Sequence, residues 1–107
     1  MPFDLVVRRV NGLSMANTLL HGDILIGQRL PDDRPISAGD VVEIKHRSLG
    51  RLVKRVIDSS DDGYWVSGDS TTSLESERIG FITRDQVLAK FLLKLSPRGI
   101  CRIPKQG

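Results

Sequence analysis

Short apolar runs, each closed by a cluster of turn-forming residues, recur along most of this chain and confine it to a mostly β fold. Residues 5–10, 24–28, 41–45, 52–57 and 64–67 are rich in Val, Ile and Leu and too short for stable helices. Between them lie His21-Gly22-Asp23, the stretch 31–40, the stretch 46–50 and Ser59-Ser60-Asp61-Asp62-Gly63. These segments concentrate Gly, Pro, Asp and Ser, which favour turns through positive φ, fixed φ or local side-chain hydrogen bonds. Residues 83–95 carry two patterns at once. Thr83 and Gln86 have capping-box spacing, and Val87, Leu88, Phe91, Leu92 and Leu95 fit a helical face. Yet Val87, Ala89, Phe91, Leu93 and Leu95 also alternate as a strand.

With 107 residues the chain makes one domain over residues 1–107, large enough for a core and too short for two. No repeat, low-complexity tract or interdomain linker interrupts it. Sixteen Lys and Arg against 13 Asp and Glu leave a net charge of only +3, spread in pairs such as Arg8-Arg9 and Lys54-Arg55. Nucleic-acid sites concentrate charge beside stacking aromatics, and this chain has five aromatic residues, so no nucleic-acid partner is expected. The single Cys101 rules out an internal disulfide and fits a reducing, cytoplasmic compartment. His21 and His46 read as turn and surface residues. Without a ligand cluster around them, neither a metal nor another cofactor is expected.

Chemistry enters with Ser14, which sits in the turn-like segment Asn11-Gly12-Leu13-Ser14-Met15, and Lys54, which sits in the apolar run Leu52-Val53-Lys54-Arg55-Val56. A serine hydroxyl is a poor nucleophile at neutral pH and needs a neighbour to take its proton. Lysine does this only when neutral, and burial among apolar groups is the usual way to lower its pKa from about 10.4. Alternation puts Lys54 on the same strand face as Leu52 and Val56, an environment suited to a desolvated base. The same pattern also fits a strand lysine whose stem covers apolar surface while its ammonium reaches water.

Four boxes decide between those readings: Gly12-x-Ser14-Met15-x-x-Thr18-Leu19-x-x-Gly22-Asp23, then Gly39-Asp40-Val41-Val42, then Val53-Lys54-Arg55-Val56, then Gly68-Asp69-Ser70 followed by Ser73-Leu74-Glu75-Ser76 and Gly80. In this order and spacing they resemble the catalytic domain of type I signal peptidases, over residues 7–90. The resemblance implies a β-barrel of short strands, like that of signal peptidases and repressor-type proteases, with 83–95 as a barrel strand. It makes Ser14 the nucleophile, Lys54 the general base and Ser73 the hydroxyl that orients the lysine. Asp69 and Glu75 fall among the supporting acids. Glu75 stands where the family has aspartate and Glu77 where it has arginine, so Arg78 is the candidate substitute. The proline that follows the family's Ser-Met is absent from Ser14-Met15-Ala16-Asn17-Thr18. The Ser14 backbone N–H is the first expected oxyanion donor, with Gly12 letting the backbone bend toward the substrate.

An extended peptide is expected to add as a strand between the segment before Ser14 and the strand of Lys54, with Leu13, Met15, Leu52 and Val53 as candidate walls. Signal peptidases are normally tethered by a transmembrane helix of about 20 apolar residues. Residues 1–9, with Asp4 and Arg8-Arg9, contain no such span, so no integral membrane segment is expected. The short start and the ending Val87-Leu88-Ala89-Lys90-Phe91-Leu92-Leu93-Lys94-Leu95-Ser96-Pro97-Arg98 resemble the soluble subgroup that matures nickel-type superoxide dismutase. The expected activity is therefore a soluble Ser-Lys endopeptidase that removes an N-terminal leader, with nickel superoxide dismutase as the partner precursor. A detached signal peptidase catalytic domain, a self-cleaving repressor-type domain and a noncatalytic peptide-binding β module are the alternatives.

Overall fold

The computed structural model describes residues 4–12, 15, 18–30, 35–68 and 80–104. Eight strands form one antiparallel sheet: β1 (Leu5–Arg9), β2 (Ile24–Arg29), β3 (Val41–His46), β4 (Gly50–Ser60), β5 (Gly63–Ser67), β6 (Phe81–Ile82), β7 (Val87–Ser96) and β8 (Gly99–Arg102). The hydrogen-bonded order is β1-β2-β7-β3-β4-β5-β6, with β8 pairing the end of β7. The mostly β class expected from the apolar runs is the class the chain adopts, and all five expected strands are present.

Both faces of this sheet are covered, which is why its central strands are apolar without strict alternation. Cross-strand pairs Val42↔Lys54 and Ile44↔Leu52 point to one face, and Val41↔Arg55 and Glu43↔Val53 to the other. The first face carries a core of Leu30, Ile36, Val42, Ile44, Val56, Val66, Ile82 and Val87. The second carries Val6, Val10, Met15, Leu19, Leu25, Val41, Ala89 and Phe91. Each fully buried Val or Leu here stabilises the fold by about 1.5–3 kcal/mol.

Three bulges, between Ile26 and Gly27, Glu43 and Ile44, and Val56 and Asp58, add local twist and let the sheet curl over its second face. The curl brings the end strand β1 back toward β3, three places along the order, so that Arg8 reaches Glu43 at 2.6 Å. Among the described strands the curl is closed by side chains, because β1 and β6 end the ladder. Gly27 makes the β2–β7 approach possible: a Cβ there would overlap the Lys90 carbonyl oxygen and lie 2.7 Å from Phe91 Cα.

Residues 83–95 use both patterns in succession. The Thr83 backbone N–H donates to Gln86 Oε1 at 3.0 Å and opens a single 3₁₀ turn, Arg84–Gln86. Strand β7 begins at the next residue and pairs with β2 on one side and β3 on the other. The helical face has no room to develop, since tertiary pairing claims every backbone group from Val87 onward. Two strands had no counterpart in the sequence reading. β6 is two residues long and β8 is exposed throughout, so neither carries an apolar period.

Candidate active site

Lys54 occupies the middle of the sheet and is only 2% exposed. Its strand pairs with β3 from Gly50 to Arg55 and with β5 from Arg55 to Ser60, so that Arg55 is the residue where the two ladders overlap. Residues 51–53 pair with β3 and with no other strand among the described residues. β1 is an end strand of the described ladder. The sheet order makes β1 and β4 run in the same direction, β1 toward Gly12 and the first half of β4 toward Lys54.

A cavity of about 230 Å³ lies between these two strands, lined by Arg8, Arg9, Val10, Asn11, Gly12 and Met15 on one side and Glu43, Arg51, Leu52 and Val53 on the other. The expected peptide groove, between the segment before Ser14 and the strand of Lys54, is thus a physical cleft. Three of the four expected wall residues, Met15, Leu52 and Val53, line it. Met15 also packs in the second core at 2% exposure, and Leu52 and Val53 pack against the first and second cores respectively. All three are wall and core at once. Leu13, Ser14, Asp69, Ser73, Glu75 and Arg78 lie outside the described residues, as do Ala16, Asn17 and Glu77.

The chain neighbours of those positions are well placed by local bonds. Gly12 has φ of 92°, a left-handed conformation open to glycine and strained for other residues, which fits the bend expected of it. Its N–H donates to His21 Nδ1 at 3.0 Å. The Met15 carbonyl accepts the N–H groups of Thr18 at 2.9 Å and Leu19 at 2.6 Å. Asp23 closes the same loop by accepting the Leu20 N–H at 2.9 Å. On the far side, Arg55 pairs with Ser67 at the end of β5, and the Val66 N–H donates to the Gly80 carbonyl at 2.8 Å.

Lys54 shares its sheet face with Val42, Leu52 and Val56, whereas Met15 and Leu19 pack on the opposite face.

Arg55 is the residue that the sequence reading passed over. It is 3% exposed and faces away from Lys54. Nη1 donates to the carbonyls of Gly39 and Pro104, both at 2.7 Å, and Nη2 reaches Thr18 Oγ1 at 3.5 Å. One guanidinium thus ties the turn before β3, the loop at Thr18 and the C-terminal segment to the strand of Lys54. Its sequence signal was adjacency to Lys54 in an apolar run, together with Thr18 in the first box.

His21 accepts from Gly12, and His46 Nδ1 accepts the N–H groups of Ser48 and Leu49 at 3.1 Å, so both act as turn caps, as expected. No group of three or more His, Cys, Asp or Glu side chains converges as a metal site among the described residues. Among those residues no helix is long and apolar enough to cross a membrane. Compared with protein-family models and with curated proteins, the chain matches none.

Proposed function

We propose that this chain is a serine endopeptidase in which Ser14 and Lys54 form a catalytic dyad. Ser14 Oγ attacks the scissile carbonyl while its proton passes to the Lys54 amine. The carbon–nitrogen bond then breaks as Lys54 returns that proton to the leaving amine, and water hydrolyses the resulting ester. The observation that carries this reading is the burial of Lys54 directly after residues 51–53, which line a cleft reaching Gly12 and Met15.

Ser73 orients the lysine, with Asp69, Glu75 and Arg78 as its supporting neighbours. The Ser14 N–H is the first oxyanion donor, and Gly12 admits the substrate backbone. The peptide lies extended between β1 and the first half of β4, bonding to their edges. Such a cleft suits a short, disordered N-terminal leader. The precursor of nickel-type superoxide dismutase is our candidate substrate, processed in the cytoplasm, because removing its leader creates the N-terminal amine that binds nickel. The peptidase itself needs no metal or cofactor in this scheme.

Incubating the purified chain with that precursor and reading the product's N-terminus by mass spectrometry tests the proposal. Trimming by the wild type and an intact leader with Ser14→Ala or Lys54→Met is the expected result. Cleavage of secretory precursors alone would identify a detached signal peptidase. Peptide binding with no cleavage of either would identify a binding module.

A further inference from the structure

The cleft has a charge pattern that leader trimming alone does not require. Three arginines, Arg8, Arg9 and Arg51, line it against one carboxylate, Glu43. Glu43 is buried and already engaged by the Arg8 fork, Nε to Oε2 at 2.6 Å and Nη2 to Oε1 at 3.3 Å. Arg51 sits directly across the β3–β4 ladder from Lys45, and both are exposed. Like charges placed opposite each other on a sheet destabilise it. Neither has an ion-pair partner among the described residues, and Arg51 shares the sheet face of Val53 and Glu43, toward the cleft. Among the described residues the far end of the groove therefore presents positive charge without a paired carboxylate, sustained at a cost to stability.

We propose that this end of the cleft selects an acidic side chain in the bound peptide, with Arg51 as the main specificity-determining residue and Lys45 as its support. Arg51 precedes Lys54 by three strand residues, about 10 Å along the peptide path. The favoured Asp or Glu thus lies about three residues from the scissile bond. Arg8 does not compete for it, because Glu43 already occupies its fork. A basic residue at the same place meets Arg51 and Lys45 with no free carboxylate in reach among the described residues, so the groove discriminates by repulsion as well as attraction. The inference rests on the peptidase reading of the cleft, and binding and cleavage separate the two.

The probes are fluorescein-labelled ten-residue Ala/Ser peptides carrying Asp, Asn or Lys third before or third after a central Ala-Ala bond. Binding is measured by anisotropy with the full-length Lys54→Met chain, and cleavage with the wild type. At either placement, Asp should bind about fivefold tighter than Asn, near the ceiling for one exposed ion pair, and Lys should bind more weakly than both. The preference should shrink in about 0.5 M salt, where the Debye length falls well below 10 Å. Arg51→Glu should reverse the order of Asp and Lys, Lys45→Glu should weaken it, and Arg51→Lys should keep it. Equal affinities at both placements, or an order that Arg51→Glu leaves unchanged, would overturn the inference even if all peptides are cleaved. The charge order in binding with no cleavage of any peptide would uphold it and refute the peptidase reading.

Discussion

Replacing Arg55 by methionine tests whether one buried guanidinium joins the parts of the site. The substitution keeps most of the apolar stem and removes donors to Gly39 O, Pro104 O and Thr18 Oγ1. A hydrogen bond to a charged group contributes about 1.5–3 kcal/mol, and the two 2.7 Å bonds to carbonyls are the strong ones here. Their loss predicts a destabilisation of about 3–5 kcal/mol, with the 3.5 Å contact to Thr18 adding little. That is a large share of the 5–15 kcal/mol typical of a domain. With a urea m-value of about 1.5–2 kcal/mol/M, the unfolding midpoint should fall by about 1.5–3 M at unchanged m. Arg55→Lys should recover only part of this, since one ammonium does not reproduce the planar fork. Circular dichroism in a urea titration measures both variants. A midpoint shift below about 0.3 M for Arg55→Met, well under one hydrogen bond's worth, would refute the structural role assigned to Arg55.

The proposed dyad predicts that Lys54→Met abolishes cleavage while far-UV circular dichroism stays native, and that combining it with Ser14→Ala costs no more than either alone; additive losses in single-turnover rates would break the dyad. Because only the free amine accepts the serine proton, the rate should rise with pH as the Lys54 ammonium deprotonates and then level off. A histidine base would instead titrate near 6.5, so a pH–rate profile that collapses in His21→Ala or His46→Ala would reassign the base. Ser73→Ala should lower kcat by about 10- to 1,000-fold with KM little changed, as for a group that acts in the transition state; an unaltered kcat would reduce Ser73 to a loop serine. Gly27→Ala should cost about 2–3 kcal/mol in urea unfolding, because the new methyl meets the β7 backbone and not a side chain that can move.

The strands over residues 5–10, 24–28, 41–45, 52–57 and 64–67 were legible in the amino-acid order because apolar and β-branched residues recur at the strand period and turn formers break the runs. Their ends were less so. β4 extends from Gly50 to Ser60, and its last residues, Asp58, Ser59 and Ser60, are polar and are strand only because β5 pairs with them. The burial of Lys54 was legible only in part, since Leu52 and Val56 flank it on the same face but the same pattern fits a lysine whose ammonium reaches water. That of Arg55 was not. Strand alternation sends Arg55 to the other face, and local sequence does not tell that a second core, built from β1, β2, β7 and the loop through Met15 and Leu19, covers that face as well. The cleft belongs to the same class of fact. Arg8 and Gly12 lie about forty residues from Arg51 and Val53, and they face one another because the sheet, with its three bulges, curls. Local periodicity is a property of neighbours along the chain, whereas curl, edge exposure and the partner of a buried charge depend on contacts between strands that only the folded sheet brings together.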